Sequence, residues 1–258
     1  MISIQKYVFP QTPDEAWQLN QTRSNRIIAG NMWLRLSRRP INTAIDLSAL
    51  GLSGVREENG EFIIGCMTSL RALETDTALN DLASGAFRDA LSHIVGVQFR
   101  NTATIGGSIY SRFGFSDPLT LLLAMNASAT LFKGGRVSLE EYVKMPYDRD
   151  LLLDIRVPAQ PVQAAFQCMR NTQTDLSVLN CAVTLQNGLV RCAVGARPGR
   201  AVLIPGCTEA LRSGAVDFGK HVAQNVITGG NMRATAEYRS HLADVLSRRC
   251  AAQIGGLK

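Results

Sequence analysis

Asn187-Gly188 stands between two apolar, strand-like runs at 178–186 and 189–196. A two-residue hairpin of type I′ needs positive φ at both central positions, which Asn-Gly accepts at little cost. The C-terminal part of the chain is therefore expected to hold an antiparallel sheet. Helical patterns follow at about 207–213, 217–228 and 235–252, and in the last of them Tyr238, Leu242, Val245 and Leu246 form one face. Sheet and helices occur in separate runs, so the fold class is α+β.

The N-terminal part repeats short strands and helices. Residues 4–9 read as a strand ending at Pro10. Thr12, Pro13 and Glu15 then supply a cap, a first-turn proline and a capping-box acid for a helix running to about Arg23. Ile27-Ile28-Ala29 is a short strand that runs into Gly30-Asn31, and 44–47 is another, giving a small β-α-β unit with a loop at 30–34. Strands are expected at 61–65, 129–133 and 151–157, with a helix at 84–95 and a second capping box at Ser138 and Glu141. Ser116-Asp117-Pro118 opens a helix through Met125, with Asp117 as its cap. Composition shifts between Pro158 and Pro161. Two small lobes, about 1–50 and 51–158, are expected before a C-terminal domain of sheet and helices at 159–258.

With 258 residues, 46% of them hydrophobic and 19% charged, the chain can bury a sizeable core. It has no apolar run long enough to span a bilayer, and its start lacks a signal-peptide pattern, so a cytoplasmic protein with no membrane role is expected. The six cysteines have no C-x-x-C spacing and the three histidines are scattered, so neither a disulfide frame nor a metal site is expected. The formal charge of +6 comes without a Lys/Arg run, and only 6% of residues are aromatic, which argues against a nucleic-acid partner. The charge is uneven, however. No acid lies between Ala16 and Ile45, where Arg23, Arg26, Arg35, Arg38 and Arg39 occur, nor between Ala90 and Ser116, which holds Arg100 and Arg112. Chance explains this, or both stretches face one anion.

Three places carry candidate chemistry. In Thr104-Ile105-Gly106-Gly107-Ser108, paired glycines admit a ligand close to the backbone, and successive N–H groups can form an anion-binding concavity. The hydroxyls of Thr104, Ser108 and Ser111 can donate to phosphate or ribose oxygens. Ala29-Gly30-Asn31-Met32-Trp33-Leu34 leaves a strand end, with asparagine at a position suited to a left-handed turn. The third is Asp117, whose carboxylate has acceptor sites beyond those a helix cap uses. No G-x-G-x-x-G, P-loop, G-x-S-x-G or H-E-x-x-H motif occurs. Any redox or group-transfer chemistry would then belong to a bound cofactor.

In this order, these residues resemble the FAD-binding medium subunits of the xanthine dehydrogenase and carbon monoxide dehydrogenase family of molybdenum hydroxylases. The resemblance covers nearly the whole chain. The family's Ala-Gly-Gly-x-x-Leu loop reads here as 29–34, and its central signature as Arg100-Asn101, 104–108 and Ser116-Asp117. Gly195-Ala196-Arg197-Pro198 and 231–239 are similar to its C-terminal domain. The resemblance implies a two-lobed FAD-binding domain of the vanillyl-alcohol oxidase (PCMH) type. It also implies an oxidoreductase subunit that passes electrons from a partner iron–sulfur subunit through FAD to NAD or another acceptor, beside a molybdopterin-binding subunit. FAD contacts carry over to Ala29, Gly30, Asn31, Met32, Trp33, Leu34, Thr104, Ile105, Gly106, Gly107, Ser108 and Ser111, with Gly30, Asn31, Gly106 and Gly107 as backbone donors to the diphosphate. Asp117 becomes the ribose-side carboxylate. Asn31 replaces a loop glycine, Trp33 adds bulk beside it, and Ser108 replaces an asparagine. Two alternatives stay open: a structural subunit that has lost FAD, and a stand-alone FAD oxidoreductase similar to the murein-precursor reductases.

Overall fold

In a computed structural model, which describes residues 2–255, β1 (Ile4–Val8) leads into α1 (Pro13–Asn20). Thr12 caps α1 by accepting from the Glu15 N–H at 3.2 Å, while the Glu15 carboxylate accepts from the Gln11 N–H at 2.8 Å. β2 (Arg26–Ile28) and β3 (Ile41–Asp46) complete a parallel sheet in the order β1-β3-β2. Ala29 has already left the strand, and the following loop closes in one 3-10 turn at Leu34–Leu36.

β4 (Val55–Glu58) and β5 (Glu61–Gly65) form a hairpin through Asn59-Gly60, at φ 53° and 75°. The sequence reading misses β4, because Val-Arg-Glu-Glu is a charged, largely exposed strand without apolar alternation. Short helices follow: α2 (Leu70–Thr75), α3 (Thr77–Leu82), α4 (Ala86–Leu91), α5 (Val97–Thr102), α6 (Ile105–Tyr110) and α7 (Asp117–Ala124). The helix expected at 84–95 shrinks to α4, since Ser84 and Gly85 before it and Val95 after it all have positive φ. β6 (Ser128–Leu131), β7 (Gly135–Ser138), α8 (Leu139–Tyr142) and β8 (Leu152–Pro158) close the second, antiparallel sheet, ordered β4-β5-β8-β6-β7. Both bonds of the capping box between Ser138 and Glu141 are present.

After residues 159–162 comes the third sheet, β9 (Gln163–Arg170), β10 (Ser177–Gln186), β11 (Leu189–Gly195) and β12 (Val202–Ile204). It is antiparallel, ordered β12-β11-β10-β9, and Gln186 pairs with Leu189 around Asn187-Gly188 at φ 51° and 77°. The chain ends with α9 (Cys207–Arg212), α10 (Ala215–Asn225) and α11 (Ala236–Gly255). α7 packs on β10 and β11, and α11 packs on β9 and β10. Ala182 and Ala193 join the core that contains α7, whereas Cys181, Val183, Cys192 and Val194 join the core beneath α10 and α11. Packing on both faces leaves every residue of β10 from Ser177 to Thr184 buried. No helix among the described residues is long and apolar enough to cross a membrane.

The face expected on α11 holds at Leu242 and Leu246, which are buried, but shifts at its start. Tyr238 is 43% exposed, and Arg239 is buried in its place. The Arg239 guanidinium donates to the carbonyls of Val178, Gly229 and Ala234 and to Asn231 Oδ1, clamping the loop before α11 onto β10. The motif at 231–239 is thus a structural staple.

Arg100 also proves structural. Its Nε donates to buried Glu74 at 2.6 Å, which ties α5 to α2. Burial raises the Glu74 pKa, but hydrogen bonds from Arg100 and Arg71 outweigh it and hold the carboxyl below its ordinary value. Replacing Arg100 by Met leaves Glu74 with only half-exposed Arg71, and should cost about 3 kcal/mol, the low end for a broken buried pair. A denaturant midpoint measures this. A carboxyl with a depressed folded pKa stabilises above its unfolded value, about 4.3 for Glu, and loses that as pH falls through the folded one. Glu74→Gln should therefore flatten the acid limb of the stability profile.

Candidate functional site

From the end of β2 the chain turns outward through Ala29-Gly30-Asn31, with Asn31 at φ 56° in the left-handed region that asparagine tolerates. Gly30 lies directly on the end of α5: a methyl group there would fall 2.0 Å from the Thr102 carbonyl oxygen. Gly106, in the first turn of α6, is seated likewise on Cys66, where a methyl group would fall 2.5 Å from the carbonyl oxygen. The two glycine-bearing turns are therefore adjacent, joined through the short link between α5 and α6.

They share a cleft of ≈ 380 Å³. Its wall includes Ala29, Gly30, Asn31, Met32, Trp33 and Leu34 from the first turn, and Thr104, Gly106, Gly107, Ser108 and Ser111 from the second. Asp117 at the start of α7 completes the set. Ile105 is the exception. It is 1% exposed in the core, with its N–H donating to the Thr68 carbonyl, and so does not line the cleft.

The two turns differ as anion hosts. The N–H groups of Gly30, Asn31, Met32 and Trp33 make no hydrogen bond among the described residues. In α6, by contrast, the Gly106 N–H donates to the Cys66 carbonyl at 2.8 Å, and the Ser108 N–H to the Thr104 carbonyl at 3.2 Å. The Gly107 N–H donates to the capping Thr104 hydroxyl at 3.2 Å. The donor role expected of Gly106 is thus corrected: its amide is committed, and its lack of a side chain lets α6 close on Cys66.

Asp117 is 3% exposed, and Ser116 takes the cap role in its place, its hydroxyl accepting from the Leu119 N–H. One Asp117 oxygen accepts from Ser177 Oγ at 2.7 Å and Asn180 Nδ2 at 2.6 Å, and the other from the Arg170 guanidinium. The carboxylate thereby ties α7 to β9 and β10. Three donors leave about one of its four acceptor directions for a ligand.

The idea that both acid-free stretches face one anion fails for most of their arginines. Of the seven, only Arg26 lines the cleft; Arg100 pairs with Glu74, and the buried Arg112 guanidinium lies 3.9 Å from the Tyr142 ring centre. Burial, and then Arg149, Arg39 and Arg23 nearby, lower the Arg26 pKa. Burial pushes the cleft-lining Cys66 thiol up to about 12, so it is no nucleophile at neutral pH. No histidine lines the cleft. Ile94, Val95, Phe99, Phe113, Phe115 and Arg149 also line it, beyond the residues expected from the sequence. Phe113-Gly114-Phe115 could have been noticed as an aromatic pair; Val95, a β-branched residue at φ 53°, left no signal.

Free amides meet two of a dinucleotide's needs here, a place for the diphosphate and close backbone approach. Asn31 Oδ1, buried without a partner, meets a third by offering an acceptor to a hydroxyl. The cleft's residues fit FAD on these grounds. A family profile described as the FAD binding domain in molybdopterin dehydrogenase matches residues 2–160. The chain belongs to that family. FAD is its cofactor, and the relatives include medium subunits of molybdenum hydroxylases. The nicotine 6-hydroxylase medium subunit of Paenarthrobacter nicotinovorans is 25% identical, with 97% of each chain covered. The Escherichia coli protein YgfM is 26% identical over 94% of this chain and 93% of its own. In fold, the chain matches a carbon monoxide dehydrogenase structure from Hydrogenophaga pseudoflava with a TM-score of 0.87, at 22% identity and 97% coverage of both chains.

The seating of the paired glycines gives a test with opposite signs. Gly106→Ala should destabilise the protein by about 1–3 kcal/mol through overpacking on Cys66. At Gly107 the nearest atom to an added methyl group is the Thr104 hydroxyl at 3.4 Å, so Gly107→Ala should be neutral or stabilising by up to ~1 kcal/mol. Thermal unfolding of the two variants separates them.

Proposed function

We propose that this chain is the FAD-carrying medium subunit of a heteromeric molybdenum hydroxylase, relaying electrons from partner iron–sulfur clusters to NAD or another acceptor. The observation that carries the reading is the row of unpaired amides at 30–33, packed against the α5–α6 link in a cleft with paired glycines. We read 1–158 as a two-lobed FAD-binding domain of the PCMH type, with lobes about 1–50 and 51–158. Residues 159–258 are then the C-terminal domain, and the complex works in the cytoplasm.

In this reading, the amides of Gly30, Asn31, Met32 and Trp33 would hold the diphosphate, and the Gly107 N–H, which here donates to the Thr104 hydroxyl, would be a further donor. The hydroxyls of Ser108 and Ser111 and the amide oxygen of Asn31 serve the sugar and ribityl hydroxyls. Asp117 accepts from the ribose with its remaining lone pair, held still by Arg170, Ser177 and Asn180. When bound, the isoalloxazine supplies the reversible redox chemistry. The chain itself positions it and limits water; no side chain on the wall is needed as acid or base. Substrate oxidation belongs to the molybdopterin-binding partner.

One observation favours the rival structural subunit: the amides of 106 and 108 are already bonded within the protein. The readings separate on purification. The expected result is a yellow protein that releases FAD on denaturation and copurifies with iron–sulfur and molybdopterin subunits when all three are coexpressed. Gly30→Ala, which forces the two turns apart, should lose the flavin. A colourless wild-type chain that cannot be loaded with FAD would overturn the proposal, and tight binding regained by Asn31→Gly would establish the rival.

A further inference from the structure

The first turn carries a large aromatic residue where bulk is least expected, and it is not alone. The Trp33 ring centre lies 5.2 Å from Phe115, 6.2 Å from Phe113 and 6.4 Å from Phe99. Phe113 and Phe115 stack on each other at 5.1 Å with planes 13° apart. The three contacts of Trp33 are tilted or edge-on, at 51° to 72°, so no ring lies parallel to the indole. All four residues line the cleft. Trp33 nevertheless remains 40% exposed and Phe113 37% exposed. An aromatic cluster assembled for the core alone would bury these faces.

A second feature lies on the same cleft. Val95 lines the cleft at φ 53°, a conformation that a β-branched residue rarely adopts. Such strain is characteristic of ligand clamps, where the surrounding structure enforces it.

We infer that Trp33, Phe113 and Phe115 form a stacking wall for a planar heteroaromatic ring end of FAD. The inference rests on the proposal that FAD occupies this cleft, and deepens it by giving Trp33 a ring-binding role and by adding Phe113 and Phe115, which lie outside the family's loop pattern. Trp33 belongs to the turn whose amides receive the diphosphate, so a ring tethered to that diphosphate reaches the wall without any other anchor. The bulk that seemed to close the turn against a dinucleotide then becomes part of its grip. Isoalloxazine and adenine share this ring chemistry, and their separate fragments tell them apart.

The test uses the full chain, stripped of flavin and labelled with 5-fluorotryptophan. It gives two fluorine resonances, one from Trp33 and one from Trp17, which sits 4.9 Å from the Lys133 ammonium and does not line the cleft. Trp17→Phe assigns them. Adding FAD should shift the Trp33 resonance and leave Trp17 in place, and whichever of riboflavin 5′-phosphate or ADP reproduces the shift names the ring. Trp33→Ala should weaken FAD binding about two- to tenfold, the worth of one aromatic pair, while Trp33→Phe keeps most of the affinity. FAD that binds by calorimetry without moving the Trp33 resonance overturns the stacking wall and spares the cofactor assignment. Tighter binding by Trp33→Ala also overturns it, because the indole would then be filling the ring's place. Failure of the wild-type chain to bind FAD at all overturns both.

Discussion

The contact of Gly30 with the Thr102 carbonyl is the constraint on which the cleft depends. It brings the open end of a parallel sheet against the link between two short helices, at a separation only a residue without a side chain permits. Gly106 repeats the device one layer on, against Cys66. Backbone therefore meets backbone at both seats, and the wall they create is rich in main-chain groups. A diphosphate suits such a wall, because it needs many donors and brings its own charge.

A buried charge fixes a further part of the wall. Burying a lone carboxylate costs several kcal/mol, so Asp117 could not sit at 3% exposure without compensation. It has three donors, drawn from β9 and β10, and Thr120 on the next turn of α7 adds a bond to Asn180 at 2.9 Å. α7 is apolar on nearly every side and fixed by this one polar cluster. The third sheet is thereby tied to the cleft, and any ligand group reaching Asp117 finds a carboxylate already held in one orientation.

Much of this was legible in the sequence, for identifiable reasons. The Asn187-Gly188 hairpin, the Thr12 and Ser138 caps and the two glycine-bearing turns are local: each is decided by a few neighbouring residues with strong dihedral or capping preferences. What escaped was decided by distant partners. The strand β4 has no apolar pattern, and only its pairing with β5 defines it. Arg100 and Arg112 looked available to an anion until Glu74 and the tyrosines claimed them. The glycines and hydroxyl residues of 104–108 are weak helix formers and carry no helix signal, yet capping by Thr104 and seating on Cys66 make them the start of α6. Asp117 read as a cap for want of any local clue to Ser177 and Asn180, some sixty residues away.

Asn31 shows why a departure from a family's pattern is weaker evidence than it looks. A glycine in that turn supplies positive φ; Asn31 supplies it too, at φ 56°. What asparagine adds is an amide whose oxygen is buried without a partner. An unmet buried acceptor costs about 1–3 kcal/mol, a penalty that a folded chain sustains where a ligand donor removes it. The same turn holds four N–H groups with no bond among the described residues. Acceptor and donors left open side by side, on a turn fixed rigidly by Gly30, describe a place shaped for a ligand carrying both anionic oxygens and hydroxyls.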